Sequence, residues 1–178
     1  MNAPFRSIRP TPDEYAPFYA GYVGRVPDVD VVDTLSRQIS ETVGVLRSIP
    51  ESRGDHRYAP GKWSIREVVG HLGDAERVFT YRAFRFSRAD PTPLEGFDEN
   101  TFVRNAPFTR ETLADLTNEL EHLRRASLYL FAALDDEAMS RRGIANGLEV
   151  SVRALAFIIA GHEHHTLEVL RERYLKSQ

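Results

Sequence analysis

Residues Ser64 to Phe86 read SIREVVGHLGDAERVFTYRAFRF, and this stretch decides the fold. Ser64-Ile65-Arg66-Glu67 reads as a capping box. In such a box the Ser64 hydroxyl accepts from a free amide of the first helical turn, and Glu67 reaches back to Ser64. Behind it, Ile65, Val68, Val69, Leu72, Phe79, Ala83 and Phe86 make one apolar stripe. Steps of three and four residues belong to a helix with one buried face, so a helix is predicted over about 64–87.

The same periodicity recurs on both sides. Val32, Leu35, Ile39, Val43 and Leu46 predict a helix over about 31–48, which Ile49-Pro50 ends because the residue before proline avoids helical angles. Leu113, Leu116, Leu120, Leu123, Ser127, Leu130 and Leu134 predict a third over about 110–134. Val152, Leu155, Ala156, Ile159, His162, Thr166, Leu170 and Tyr174 predict a fourth over about 151–175. Four helices with one stripe each bury those stripes best against one another, so the expected fold is an all-α four-helix bundle. The connectors are long. Residues 90–108 carry Pro91, Pro93, Gly96 and Pro107, and residues 135–150 carry Gly143 and Gly147 with a short hairpin expected near Ile144 to Val150. Residues 1–27 hold Pro4, Pro10, Pro12, Pro17 and Pro27, which predicts an irregular segment with a short helix near Tyr15 to Tyr22.

At 178 residues one domain spanning the chain is expected. A net charge of -3 argues against nucleic acid as the partner, since a phosphate-binding surface shows as a basic excess. There is no cysteine, hence no disulfide, no thiolate ligand and no catalytic thiol of the chain's own. No stretch has the length or apolarity of a signal peptide or a membrane span, so a cytoplasmic protein is expected. Glycine-rich phosphate loops, a nucleophile-elbow serine and a zincin motif are missing. Glu119-Leu120-Glu121-His122 has the spacing of a di-iron ligand pair, but only one copy occurs and His122 lies off the stripe.

Histidine carries most of the chemistry. Of the six, His162, His164 and His165 crowd the fourth helix, while His56 and His122 read as surface residues. At 100° per residue His162 and His165 fall roughly 60° apart on one face, His164 points nearly opposite beside the outward-reading Ala160 and Glu168, and Glu163 reads as part of a solvated face. Two imidazoles at this spacing can converge on one ion, and His71, flanking the stripe of the second helix, is the natural third ligand of an open three-ligand site. Asp74, one turn on, is placed to join or orient the set. The competing reading makes these histidines hydrogen-bonded core groups. Trp63 reads as a staple or lid residue, and Phe79, Tyr81, Phe84 and Phe86 as core.

Pro60-Gly61-Lys62-Trp63-Ser64-Ile65-Arg66-Glu67, Gly70-His71, Ala75-Glu76-Arg77-Val78-Phe79-Thr80-Tyr81-Arg82-Ala83, Pro93-Leu94-Glu95-Gly96-Phe97-Asp98, Gly161-His162-Glu163 and Arg171-Glu172-Arg173-Tyr174 follow one another in order. In this the chain resembles the DinB-like (DinB/YfiT-like) superfamily of metalloproteins from about Tyr58 to Leu175. The resemblance implies a four-helix bundle, often dimeric, that holds a divalent metal, zinc or nickel, through three histidines. One matches His71 and the first of the last-helix pair matches His162. The family's usual run is His-x-x-His-His, whereas this chain has His162, His165 and then Thr166. His165 is therefore expected to act from the adjacent position, with Asp74 completing the shell or taking a proton. The activity implied is that of a metal-dependent enzyme on a small molecule, a thiol S-transferase using a low-molecular-weight thiol or, alternatively, a hydrolase. A threonine at the third-ligand position favours a different class, a non-catalytic stress-associated binding or dimerisation bundle with a degenerate metal site.

Overall fold

The structure is a computed structural model and describes residues 5–176. Seven α-helices occur in it: α1 (Ala20–Val23), α2 (Val31–Arg47), α3 (Ile65–Ser87), α4 (Glu99–Asn105), α5 (Leu113–Ala132), α6 (Asp136–Ser140) and α7 (Val152–Val169). The four long ones, α2, α3, α5 and α7, form the bundle and lie where the apolar stripes place them. The capping box is present, with the Glu67 amide donating to Ser64 Oγ at 3.3 Å and the Ser64 amide to Glu67 Oε2 at 2.6 Å. Asp30, Thr112 and Ser151 cap α2, α5 and α7 through their side-chain oxygens. The chain leaves α7 in a π-helical turn, Leu170–Tyr174, closed by the Leu175 amide on the Leu170 carbonyl at 2.9 Å. Among the described residues no helix is long and apolar enough to cross a membrane.

The two connectors hold more structure than their prolines and glycines suggest. α6 and an antiparallel hairpin, β1 (Arg142–Ala145) and β2 (Leu148–Ser151), occupy the second. Asn146 and Gly147 turn the hairpin with φ of 53° and 72°, the pair of positive angles that a two-residue turn matched to strand twist requires. Leu94 of the first connector docks on this hairpin: its amide donates to Ile144 O and its carbonyl accepts from the Asn146 amide, both at 2.9 Å. The Pro93-to-Asp98 stretch is thereby fixed at one end of the bundle. Asp98 then caps α4 through the Thr101 amide at 2.6 Å, which sets Glu99 and Asn100 beside that end.

α7 is the central helix. Every residue from 152 to 161 is buried, including Ala160 on the face expected to look outward. The reason is the N-terminal segment, which lies across that face. Arg153, buried in α7, pairs with the buried Glu14 and stacks its guanidinium 3.6 Å from the Phe5 ring centroid. Crossing is closest at Gly161, where a Cβ would stand 2.0 Å from the Tyr22 carbonyl oxygen. Only glycine lets α1 approach so closely, and that approach brings Tyr22 over the histidines of α7.

Charged residues tie the four long helices at mid-height. Arg124 of α5 is 1% exposed. Its Nε and Nη2 donate to the two carboxylate oxygens of Glu76 in α3 at 3.0 and 2.9 Å, and Nη2 also lies 2.6 Å from Glu163 Oε2 in α7. Nη1 donates to the Leu35 carbonyl of α2 at 3.3 Å, and the Thr42 hydroxyl of α2 donates to Glu163. Burial works against the Arg124 charge, and the Glu163 and Glu76 carboxylates outweigh it and raise the guanidinium's pKa. Glu163, read above as solvated, is thus a buried anchor.

Candidate functional site

A cavity of about 590 Å³ opens at the end of the bundle bounded by α1, α3, α4 and α7. Its size suits a small molecule. Helical spacing brings His71 from α3 and His162 from α7 to its wall, because both sit on the edge of a buried stripe where that stripe meets open space. Their Nε2 atoms face each other at 3.1 Å. Trp63 closes over His71 with ring centroids 4.9 Å apart, and Tyr22 meets His162 edge-on at 5.4 Å. The Tyr174 hydroxyl donates to the Trp63 carbonyl at 2.8 Å and holds that lid, while burial pushes its own pKa up to about 12.

Both imidazoles are neutral at pH 7. Burial pulls His71 down to about 4, opposed by the Glu99 charge, and burial together with repulsion from His71 and His165 pulls His162 down to about 3. Neutral imidazole is the form that binds a metal. Two nitrogens of one tetrahedral ion with ~2.0–2.1 Å bonds stand roughly 3.3 Å apart, close to the separation of this pair. His71 Nδ1 is buried with no hydrogen-bond partner. A metal-bound imidazole normally donates its other N–H, so the case for a ligand rests on the two facing Nε2 atoms. The pair therefore fits two positions of a divalent ion.

The other expected members are placed differently. His165 lines the cavity but does not join the pair: its Nδ1 lies 3.4 Å from Arg25 Nη2, and its ring packs against Tyr22 at 5.6 Å. Burial and the Arg25 charge lower its pKa. Asp74 does not line the cavity. It turns toward Arg77, 3.9 Å away, and burial raises its pKa. Thr166, four residues after His162, is buried and lines the cavity. Among the described residues no three His, Asp or Glu side chains are gathered at metal-ligand spacing. His122 and His164 are exposed, as their positions off the stripes predict, whereas His56, expected at the surface, packs half-buried against Tyr174.

Sequence reasoning missed Glu99, Arg82, Tyr19 and Tyr22, all of which line the cavity. The available signal was the Pro93-to-Asp98 stretch, whose Asp98 cap directs Glu99 toward the histidines.

The histidine pair sets a pH dependence in the protein freed of metal by chelation. The folded values of His71 and His162 lie below the unfolded 6.5, so the unfolded chain takes up protons first as the pH falls. Stability is full above about 6.5 and is lost toward pH 4, at up to about 1.4 kcal/mol per pH unit for each histidine. Thermal melting at pH 7, 6 and 5 is expected to show this fall, and His71→Gln to flatten it. An unchanged slope in His71→Gln would remove His71 as its source.

An all-α bundle whose two central helices present facing histidines to a small-molecule cavity is the class that fold and site define. The chain belongs to the DinB superfamily, whose family model matches residues 34–170. A protein of Oceanobacillus iheyensis provisionally named a metal-dependent hydrolase is 26% identical over 139 residues, covering 76% of this chain and 77% of that one. YfiT from Bacillus subtilis, described as a probable metal-dependent hydrolase with an unusual four-helix bundle topology, superposes with a TM-score of 0.70 at 19% identity. That match covers 79% of this chain and 84% of YfiT. A mycothiol-dependent maleylpyruvate isomerase superposes with a TM-score of 0.64 at 14% identity, over 77% of this chain and 58% of that one. The two structural matches establish the bundle topology.

Proposed function

We propose that this chain is a metal-dependent enzyme acting on a small molecule in the cavity, and that the reaction is transfer of a low-molecular-weight thiol. The observation that carries the metal reading is the pair of neutral His71 and His162 Nε2 atoms facing at 3.1 Å. These two residues would hold a divalent ion, Zn²⁺ or Ni²⁺, and His165, expected from the sequence as a third ligand, lines the same cavity. Such an ion supplies a thiolate, or a water of lowered pKa, at neutral pH. The chain has no cysteine, so the thiol comes from a cosubstrate. Trp63, Tyr22 and Phe79 screen the histidines from bulk water, and Glu99 is placed to take a proton at the mouth.

Hydrolysis is the second reading, supported by the names of the Oceanobacillus and Bacillus relatives. It needs a base beside the nucleophile. Asp74 does not line the cavity, and among the described residues Glu99 is the one carboxylate that does. Glu99 can serve as that base in either reading, so the preference for thiol transfer rests on the resemblance alone, one superposed protein being named mycothiol-dependent.

Elemental analysis of untagged protein, dialysed without chelator, is the test. About one equivalent of zinc or nickel is expected, absent from His71→Ala. With metal present, thiol-dependent turnover of electrophiles supports transfer, and turnover in water alone supports hydrolysis. No stoichiometric metal after reloading would leave a non-catalytic binding or dimerisation bundle.

A further inference from the structure

Three buried arginines stand in this bundle, and two have carboxylate partners. Arg124 has Glu76 and Glu163, and Arg153 has Glu14. The third, Arg82 on α3, is 4% exposed and lines the cavity. Among the described residues no carboxylate lies within ion-pair distance of it. Its Nη2 donates to the Glu95 carbonyl at 3.0 Å, and Tyr19 lines the cavity with it. The rings of Phe79 and Phe97 stand at 5.9 Å on its guanidinium carbon. A guanidinium carries five N–H donors, so donors remain after these contacts. Removing a full charge from water without a counter-ion is costly, and aromatic faces offset only part of that cost.

We infer that the Arg82 end of the cavity is a subsite for the carboxylate of the substrate. The counter-ion that the protein withholds is supplied by the ligand, through the planar fork that suits a carboxylate. In the metal-free protein the charge of the rest of the cavity favours a monoanion. Glu99 lines the same space, and no second buried cation lines it among the described residues. A dianionic phosphate would meet one guanidinium and one opposing carboxylate. Tyr19, Phe79 and Phe97 flank the subsite, so the carboxylate is carried on a flat apolar body. Lys62 also lines the cavity, but it is exposed at the mouth, where water screens its charge.

The inference rests on the cavity being the substrate site, and the test separates the two. Benzoate and its neutral amide, benzamide, are titrated into the chelator-treated full chain by calorimetry, with inorganic phosphate as a further probe. Benzoate is expected to bind at least about tenfold tighter than benzamide, and phosphate not to compete. Arg82→Gln abolishes the preference and Lys62→Gln keeps it. Equal binding of the two probes by the unaltered protein, or no binding of benzoate, overturns the subsite, and this comparison does not depend on any variant folding. If Arg82 merely clamps the Glu95 loop, Arg82→Gln lowers the melting temperature while the unaltered protein shows no benzoate preference. Metal on the histidines with equal probe binding would leave the proposed function standing and remove this subsite. A benzoate preference without stoichiometric metal would do the reverse.

Discussion

Arg124→Ala is expected to destabilise the protein by about 3–5 kcal/mol, the cost of removing one partner from a buried ion pair. For a chain of this size that lowers the melting temperature by roughly 6–20 °C. The loss comes from what the substitution leaves behind. Glu76 and Glu163 stay buried, at 3% and 2% exposure, and face each other without the cation between them. The Leu35 carbonyl loses its donor as well. Replacing the whole set, Glu76→Gln with Arg124→Met and Glu163→Gln, is expected to recover most of the stability, because no charge is then stranded. Denaturant unfolding of the single and triple variants measures both. A single variant within about 1 kcal/mol of the parent would mean that the network is hydrated and contributes little. The triple variant has a second use. Glu163 follows His162 directly and Glu76 lies one turn and a half beyond His71, so the network sets how α3 and α7 sit against each other. A triple variant that is stable but loses metal would show that it sets the register of the histidines.

The bundle was legible because its signals are local. Ser64 with Glu67 marks a helix start, and the stripes of α2, α3 and α5 each need only their own residues to be read. The hairpin lies where it was expected, near Ile144 to Val150, with Asn146 and Gly147 at its turn. His71 and His162 were both legible as candidates, His162 on its stripe and His71 beside one, but the sequence paired His162 with His165, and the structure sets it against His71. What escaped depends on residues far apart in sequence. Glu76, Arg124 and Glu163 each look like a charge at the rim of a stripe, and only the assembled bundle shows that the three rims meet. The outer face of α7 was misread because the N-terminal segment that covers it has no periodicity of its own. The run from Val152 to Gly161, apolar nearly all round, carried that information, since a helix without a polar face is buried on every side. Asp74 and His165 show the limit of angular reasoning. Each lies within one turn of a site residue, yet Arg77 and Arg25 draw them off to the side.

Thr166→His is expected to tighten zinc binding by at least the roughly 10–100-fold that an orienting partner alone is worth at a metal site. Thr166 stands one turn beyond His162 on the same helix face, is 8% exposed and lines the cavity that holds both facing imidazoles. An imidazole there needs no help from His165, which Arg25 and Tyr22 hold at the flank. It supplies the third nitrogen that the DinB-like pattern carries at this position, turning a two-histidine anchor into a three-histidine one. Added bulk costs about 1–3 kcal/mol in a packed core, and less here because the cavity lies beside the side chain. Thr166→Val separates the two effects, since it alters packing without offering a ligand and is expected to leave affinity unchanged. Competition titration against a chromogenic chelator reads all three proteins. A rise in Thr166→His that disappears when His71→Ala is added would identify the facing pair as the foundation of the site. Equal affinity in parent and Thr166→His would mean that the two Nε2 atoms face each other as a hydrogen-bonded pair, and that any ion this protein uses sits elsewhere.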